Sequence, residues 1–486
     1  MTNITKEIKR GAFWVLLFSF IGGPIAILRN WLFTYYDPTG SYVADFALTM
    51  ILFNLITSFF VFGGSSVLTN LVPKIDLKKD RFSFLTFYSA VCMLLLLICI
   101  LVLLLFPQSI EYLTNNKIKS SQNIYVLLMS VPVIVAQILV YFLQGEADYK
   151  SASFITQLPN FLNTGIILLL IFLKIPILNL KYQDSLIMFL SSIIILSSVL
   201  MIIIGTFKIR RHFNSNSVGF FIPRGFWSFS LFIHLMTIIT FLYQNIDQIF
   251  VLKILNVKEL GRYFIIIQLV ETVRFIPLKI GQVLLASFSK IIHQGDEKLL
   301  IQTYNKVGRI IIVINLVISV ILMCFSSYIL NTFHIKGRIY DLSFCVLLIG
   351  YNIACIGNIN SMILLAKNLS KSFFLNSCLV IITLMGSVYL LSTYKLIGIV
   401  IGKSISIFIG QVGLFYLINK YINNKIGINR DYLFSQAILV VIAVCIFTVA
   451  DINLLFRLII LMSSLIIVFK YYKFSFGELR SLIKSK

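Results

Sequence analysis

The chain has 486 residues, of which 59% are hydrophobic and 12% charged, with a formal net charge of +23. Soluble domains carry roughly 25% charged residues, so a water-soluble fold of this size is excluded and the bilayer is the expected solvent. The positive charge would otherwise point to nucleic acid, but the lysines and arginines sit in short gaps between apolar runs, which is the pattern of membrane topology.

A transmembrane helix needs about 20 mainly apolar residues. Taken in chain order, such spans are expected near 11–33, 42–67, 84–106, 123–143, 153–173, 185–206 and 225–252. They continue at 261–288, 307–330, 342–366, 373–392, 397–418, 433–450 and 455–471. The expected fold is therefore an all-α membrane protein of about 14 transmembrane helices. Lys6, Lys9 and Arg10 ahead of the first span resemble the start of a secretory signal, but no small-residue cleavage site follows, so the segment is taken as a retained helix. Alternate gaps are rich in cations, among them Lys74, Lys78, Lys79 and Arg81, then Lys208, Arg210, Arg211 and Arg224, and finally the tail with Arg480, Lys484 and Lys486. The opposite gaps hold few, and the asymmetry of roughly three to one places both termini in the cytoplasm. No gap is long enough for a catalytic loop, which argues against a membrane-embedded glycosyltransferase or polymerase.

A repeat is visible. Arg10-Gly11-Ala12-Phe13-Trp14 and Arg224-Gly225-Phe226-Trp227 open two halves, and Gly40-Ser41-Tyr42 and Gly261-Arg262-Tyr263 start the second helix of each. The expected organisation is a six-helix bundle over 1–206, a cytoplasmic linker over 207–224, a second six-helix bundle over 225–418, and an extra helix pair with a basic tail over 419–486. Parallel repeats of this kind are a transporter architecture, with the substrate held between halves.

Charges inside spans cost about 2.5–3.5 kcal/mol near the bilayer centre and normally face a wet interior. Arg29, Asp45, Asp247, Glu271, Arg274, Lys279, Lys403 and Arg457 are such residues. Gln268, Glu271 and Arg274 follow one another at three-residue steps just ahead of Pro277, and Gly22-Gly23-Pro24 precedes Arg29. Tyr243, Gln244 and Asp247 share one helical face, and Thr156, Asn160 and Asn163 another. Together they outline a hydrophilic cavity with an excess of cations, suited to an anionic substrate. Arg29, Arg274 and Lys403 are the candidate diphosphate ligands, and Asp247, Glu271, Lys279, Gln244, Asn160 and Asn163 the candidate cavity or coupling groups. A blander reading stands beside this one: Glu271 with Arg274 as a structural ion pair, Arg29, Lys279 and Arg457 snorkelling to headgroups, and the asparagines bonding neighbouring helices.

Gly398-Ile399-Val400-Ile401-Gly402-Lys403-Ser404 has three residues between glycines where the phosphate-binding loop needs four, and it lies in an apolar span. The seven cysteines have no metal-type spacing, and His234 alone among the four histidines falls inside a span. No catalytic residue, resident cofactor or metal is expected, although H⁺ or Na⁺ is a candidate coupling ion.

Arg10-Gly11, Asp37-Pro38-Thr39-Gly40-Ser41-Tyr42, Asn245-Ile246-Asp247-Gln248-Ile249-Phe250-Val251-Leu252, Lys258-Glu259-Leu260-Gly261-Arg262-Tyr263, Gln144-Gly145 and Lys395-Leu396-Ile397-Gly398 jointly carry a resemblance. Over nearly its whole length the chain resembles the O-antigen type polysaccharide flippases of the multidrug/oligosaccharidyl-lipid/polysaccharide exporter superfamily. The resemblance implies translocation of an undecaprenyl-diphosphate-linked O-antigen or capsule repeat unit from the cytoplasmic to the periplasmic leaflet of the bacterial inner membrane, by alternating access, in lipopolysaccharide biosynthesis. It implies that Asp247 and Arg274 line the cavity, and it makes a polysaccharide polymerase and a chain-length regulator the expected protein partners. Two departures touch the coupling chemistry: Gln248 stands where a basic residue often follows the aspartate, and Ala286-Ser287-Phe288-Ser289 where a proline often ends the helix. A peptidoglycan-precursor flippase and a drug or metabolite antiporter of the same superfamily are the alternatives.

Overall fold

The computed structural model describes residues 2–37, 39–106, 108, 123–172, 183–212, 219–293, 295–367, 369–422, 428–448 and 454–472. Helices account for nearly all of them, and no strand occurs among the described residues. The order is α1 (Thr2–Tyr36), α2 (Ser41–Phe60), α3 (Gly64–Leu71), α4 (Lys78–Leu105), α5 (Asn123–Gly145), α6 (Tyr149–Phe172), α7 (Gln183–His212) and α8 (Phe226–Ile254). Then come α9 (Val257–His293), α10 (Glu297–Cys324), α11 (Ser326–Thr332), α12 (Arg338–Ala366), α13 (Ser370–Leu391), α14 (Lys395–Ile422), α15 (Ile428–Thr448) and α16 (Leu454–Tyr472).

Each expected span contains helix in its described part, and among the described residues nine helical stretches are long and apolar enough to cross a membrane, one of them running through α13 and α14. The all-α, multi-pass membrane architecture follows from this. Two spans that read as continuous are broken. Residues 42–67 divide at Val61, which is extended, and at Gly63 and Gly64, whose φ values of +72° and +58° suit glycine alone. Residues 307–330 divide at Phe325, between α10 and α11.

Two compact units form. The first comprises Met1–Leu269 with Asn368–Ile399, and the second Val270–Lys367 with Val400–Lys486. In the first, α5 packs on α7, α1 on α6, α13 on α8, and α2 on α5, α7 and α8. In the second, α10 is the central helix, packed on α12, α15 and α16. Both α9 and α14 pass from one unit into the other, so neither unit is a contiguous stretch of chain.

The Asp37 segment has a local structural role. Its carboxylate accepts the amides of Thr39 and Tyr42, each at 3.0 Å, and the hydroxyls of Thr39 and Ser41, so it closes the start of α2. The paired Gly-x-Tyr motifs meet in space: a Cβ on Gly261 would strike the carbonyl oxygen of Gly40 and lie 3.3 Å from the amide nitrogen of Ala44. Glycine at both positions lets the starts of α2 and α9 cross backbone to backbone.

Candidate functional site

In the second unit, α9 and α14 bring two cations to one aromatic ring. The Arg274 guanidinium stands 5.9 Å, and the Lys403 ammonium 6.0 Å, from the centroid of Tyr351 on α12. Both distances are at the limit of cation–π attraction, about 6 Å. Tyr351 is 2% exposed and Lys403 1% exposed. Arg274 is half-buried, and its Nε has no hydrogen-bond partner among the described residues. A guanidinium offers five N–H donors in a planar fork that matches carboxylate and phosphate oxygens. An unpaired buried donor costs about 1–3 kcal/mol, so the arrangement favours an anionic acceptor at Arg274.

Glu271 lies one turn earlier on α9 and is half-buried. Lys279 belongs to α9 by its backbone, but its side chain falls outside the described residues. Pro277 is inside the same helix and is buried. The glycine-rich segment before Lys403 is helical, as its composition requires, and Gly398 packs against the carbonyl of Leu391. It presents no phosphate loop.

In the first unit, Arg29 is 4% exposed, and its guanidinium lies 4.1 Å from the ring centroid of Phe46, with Nε reaching Asn30 Oδ1 at 3.5 Å. A side chain snorkelling to headgroups would be open at the protein surface, so this geometry excludes that role for Arg29. Asp247 is fully buried, and its Oδ2 accepts the Tyr263 hydroxyl at 2.6 Å. Gln244 is half-buried, one turn before Gln248, whose Nε2 donates to its carbonyl at 3.3 Å.

On α6, Asn163 is 5% exposed and its Oδ1 has no partner among the described residues. Asn160 donates from Nδ2 to Gln157 Oε1 at 2.9 Å, and the Gln157 amide packs onto Gly22 of α1. Thr164 donates to the carbonyl of Ile25 at 3.2 Å, just past Pro24. The Gly22-Gly23-Pro24 segment is thus faced by a polar ladder. Thr156 is exposed and bonds its own helix at Ala152, so the inward polar face runs through Gln157 instead. Gln157 and Tyr351 are the residues that sequence reasoning missed. The first carried a signal, since it precedes Asn160 by three positions, which keeps both on one helical face.

Arg457 has a different job. Its guanidinium donates to the carbonyl of Cys324 at 2.9 Å and lies 5.6 Å from the Tyr328 ring, capping α10 where α11 begins. The second unit also holds a neutral polar core: Gln436 Nε2 donates to Asn352 Oδ1 at 2.8 Å, and Asn352 Nδ2 to Ser319 Oγ at 3.1 Å. Cys92, Cys324, Cys345, Cys355, Cys378 and Cys445 are free thiols.

Comparison with known proteins places this geometry in context. No curated protein matches the sequence. Among solved structures, a lipid II flippase MurJ in an inward closed conformation matches at TM-score 0.62 and 17% identity, covering 94% of this chain and 98% of that one. A MATE in the bent conformation matches at 0.60 and 12%, covering 90% and 100%, and an inward-facing multidrug resistance MATE family transporter of the MOP superfamily at 0.61 and 13%, covering 85% and 98%. At such identities the likeness is one of fold. The model of the family described as polysaccharide biosynthesis protein matches residues 43–335, more than half of the chain, and the chain belongs to that family.

Proposed function

We propose that the protein is a flippase that carries a lipid-linked oligosaccharide across the bacterial cytoplasmic membrane, from the cytoplasmic to the outer leaflet, by alternating access. The substrate is an undecaprenyl-diphosphate-linked repeat unit of an O-antigen or capsule. The observation that carries the reading is Arg274, whose Nε has no partner among the described residues and whose guanidinium stands at the ring that Lys403 also approaches. Arg274 and Lys403 hold the diphosphate, and Arg29 is a further candidate ligand for it. The sugar hydroxyls bond amides such as Asn160 and Asn163, and the prenyl tail stays in lipid.

Energetically, a headgroup near −2 that moves outward down an inside-negative potential of 100 mV gains about 2.3 kcal/mol per charge, or roughly 5 kcal/mol. The potential then supplies direction. Asp247 or Glu271 takes up H⁺ or Na⁺ to assist the return step, and no covalent chemistry is involved. Both termini face the cytoplasm, and a polymerase and a chain-length regulator receive the product. The family match and the flippase and exporter folds support this reading.

A second reading has one observation in its favour: a solved structure of similar fold is a lipid II flippase. A peptidoglycan precursor with the same diphosphate would engage the same cations. Proteoliposomes loaded with fluorescent undecaprenyl-diphosphate oligosaccharides decide between them. The proposed function predicts faster translocation of the O-antigen type unit than of lipid II, and equal or reversed rates favour the second reading. Translocation of neither lipid overturns both.

A further inference from the structure

The break between α2 and α3 removes helical partners from buried backbone groups, and each must find another acceptor or donor. Three side chains supply them. Cys92 Sγ on α4 accepts the amide of Phe62 at 3.4 Å, and the Tyr88 hydroxyl donates to the carbonyl of Phe62 at 2.7 Å. His234 on α8 accepts the amide of Gly63 through Nδ1 at 3.2 Å. The imidazole is 9% exposed and lies 5.0 Å from the Phe62 ring.

An amide N–H can only donate, so Nδ1 must be bare and the ring must be the neutral Nε2–H tautomer. Adding a proton to Nδ1 forms an N–H bond there and turns the acceptor into a donor facing another donor. The Gly63 bond is then broken, and the amide, buried in the protein, loses its acceptor. Protonation and the closed break are therefore mutually exclusive. Histidine is the side chain whose unperturbed titration falls between about pH 5 and 8.

Among the described residues the titratable groups around the break are few, and besides those below they include Tyr141 of α5, close to Tyr88. From α4 the titratable groups facing the break are Tyr88 and Cys92. The sequence of α3 has none, and α2 carries Tyr42 and Asp45 near its far end. On α13, which packs on α8 through Phe374 and Phe232, the titratable residues are Lys371, Cys378 and Tyr389. On α8 itself Tyr243, Asp247 and Lys253 lie further along, and the 13 residues to Asp247 correspond to about 20 Å at 1.5 Å per residue.

We propose that His234 is a proton-binding site that latches the α2–α3 break: neutral imidazole holds Gly63 and the break closed, and uptake of one proton from the aqueous phase releases it. That the latch serves transport rests on the function proposed above, but the latch itself does not.

The test is hydrogen–deuterium exchange of the full-length protein in lipid nanodiscs, read on peptides covering residues 58–68 and corrected for intrinsic exchange. Between about pH 7.5 and pH 5.5 the wild type is expected to lose protection by about tenfold or more at these amides. His234→Asn keeps an acceptor in the Nδ1 position without a titrating group, so its protection is expected to stay at the neutral-pH value at both conditions. His234→Phe has no acceptor and is expected to be deprotected at both. A wild-type break equally protected at both pH values, or an H234N protein that keeps the wild-type response, overturns the proposal. If H234N does not fold, the wild-type comparison alone decides.

Discussion

Replacing Gly261 by alanine tests the crossing of α2 and α9 that the paired Gly-x-Tyr motifs build. The added methyl would overlap the carbonyl oxygen of Gly40 and stand 3.3 Å from the amide of Ala44, both backbone atoms. Relief requires the two helices to separate, and overpacking of this kind costs about 1–3 kcal/mol. Alanine ordinarily stabilises a helix interior by about 0.5–1 kcal/mol relative to glycine, which sharpens the contrast with a control. Gly386 lies in α13 with nothing within 4 Å of its Cβ position, so Gly386→Ala is expected to be neutral or mildly stabilising. Thermal unfolding in detergent, followed by a thiol-reactive fluorophore that reports exposure of buried Cys92, Cys324, Cys345 and Cys355, measures both. The expected result is a midpoint several degrees lower for G261A and unchanged or higher for G386A. Equal midpoints for G261A and wild type refute the crossing.

Further predictions follow from single contacts. Tyr263→Phe removes the 2.6 Å hydrogen bond to the buried Asp247 carboxyl and is expected to destabilise the protein by about 1.5–3 kcal/mol, read in the same unfolding assay. Arg457→Met uncaps the end of α10 at Cys324 and is expected to cost about 1–2 kcal/mol and to speed Cys324 labelling by maleimide; unchanged labelling would assign Arg457 to lipid instead. Burial raises the Asp37 carboxyl, but hydrogen bonds from Ser41, Thr39 and Tyr42 outweigh it and hold the group below its ordinary value. Its contribution is therefore complete above the unfolded carboxylate range, near pH 4, and is lost as pH falls through the lowered native value. Asp37→Asn is accordingly expected to narrow the gap between stability at neutral pH and at about pH 3.

The apolar spans were legible because a helix in lipid must be apolar over its whole length, and every expected span holds helix. The breaks were less so. At Phe59-Phe60-Val61-Phe62 the hydropathy runs straight through the point where α2 ends, and only the Gly63-Gly64 pair marked it. At Phe325 no glycine or proline stands, and the break depends on Arg457, 132 positions later. The intramembrane charges were visible one by one, because each is costly in lipid. Their meeting at Tyr351 was not, since residues 274, 351 and 403 come from three helices and a tyrosine in an apolar span carries no signal of its own. On α6 the polar face holds Asn160 and Asn163 as expected, but Gln157 in place of Thr156, since one residue turns a helix by about 100°.

The central claim is that Arg274 grips the headgroup. The most direct measurement is the rate at which proteoliposomes of the Arg274→Ala protein, matched to wild type in folding and incorporation, translocate a fluorescent undecaprenyl-diphosphate oligosaccharide. Loss of a charge-assisted, forked contact worth about 1.5–3 kcal/mol predicts a fall of roughly ten- to a hundredfold, with partial recovery in Arg274→Lys, which keeps the charge but not the fork. Translocation by Arg274→Ala at the wild-type rate would contradict the account.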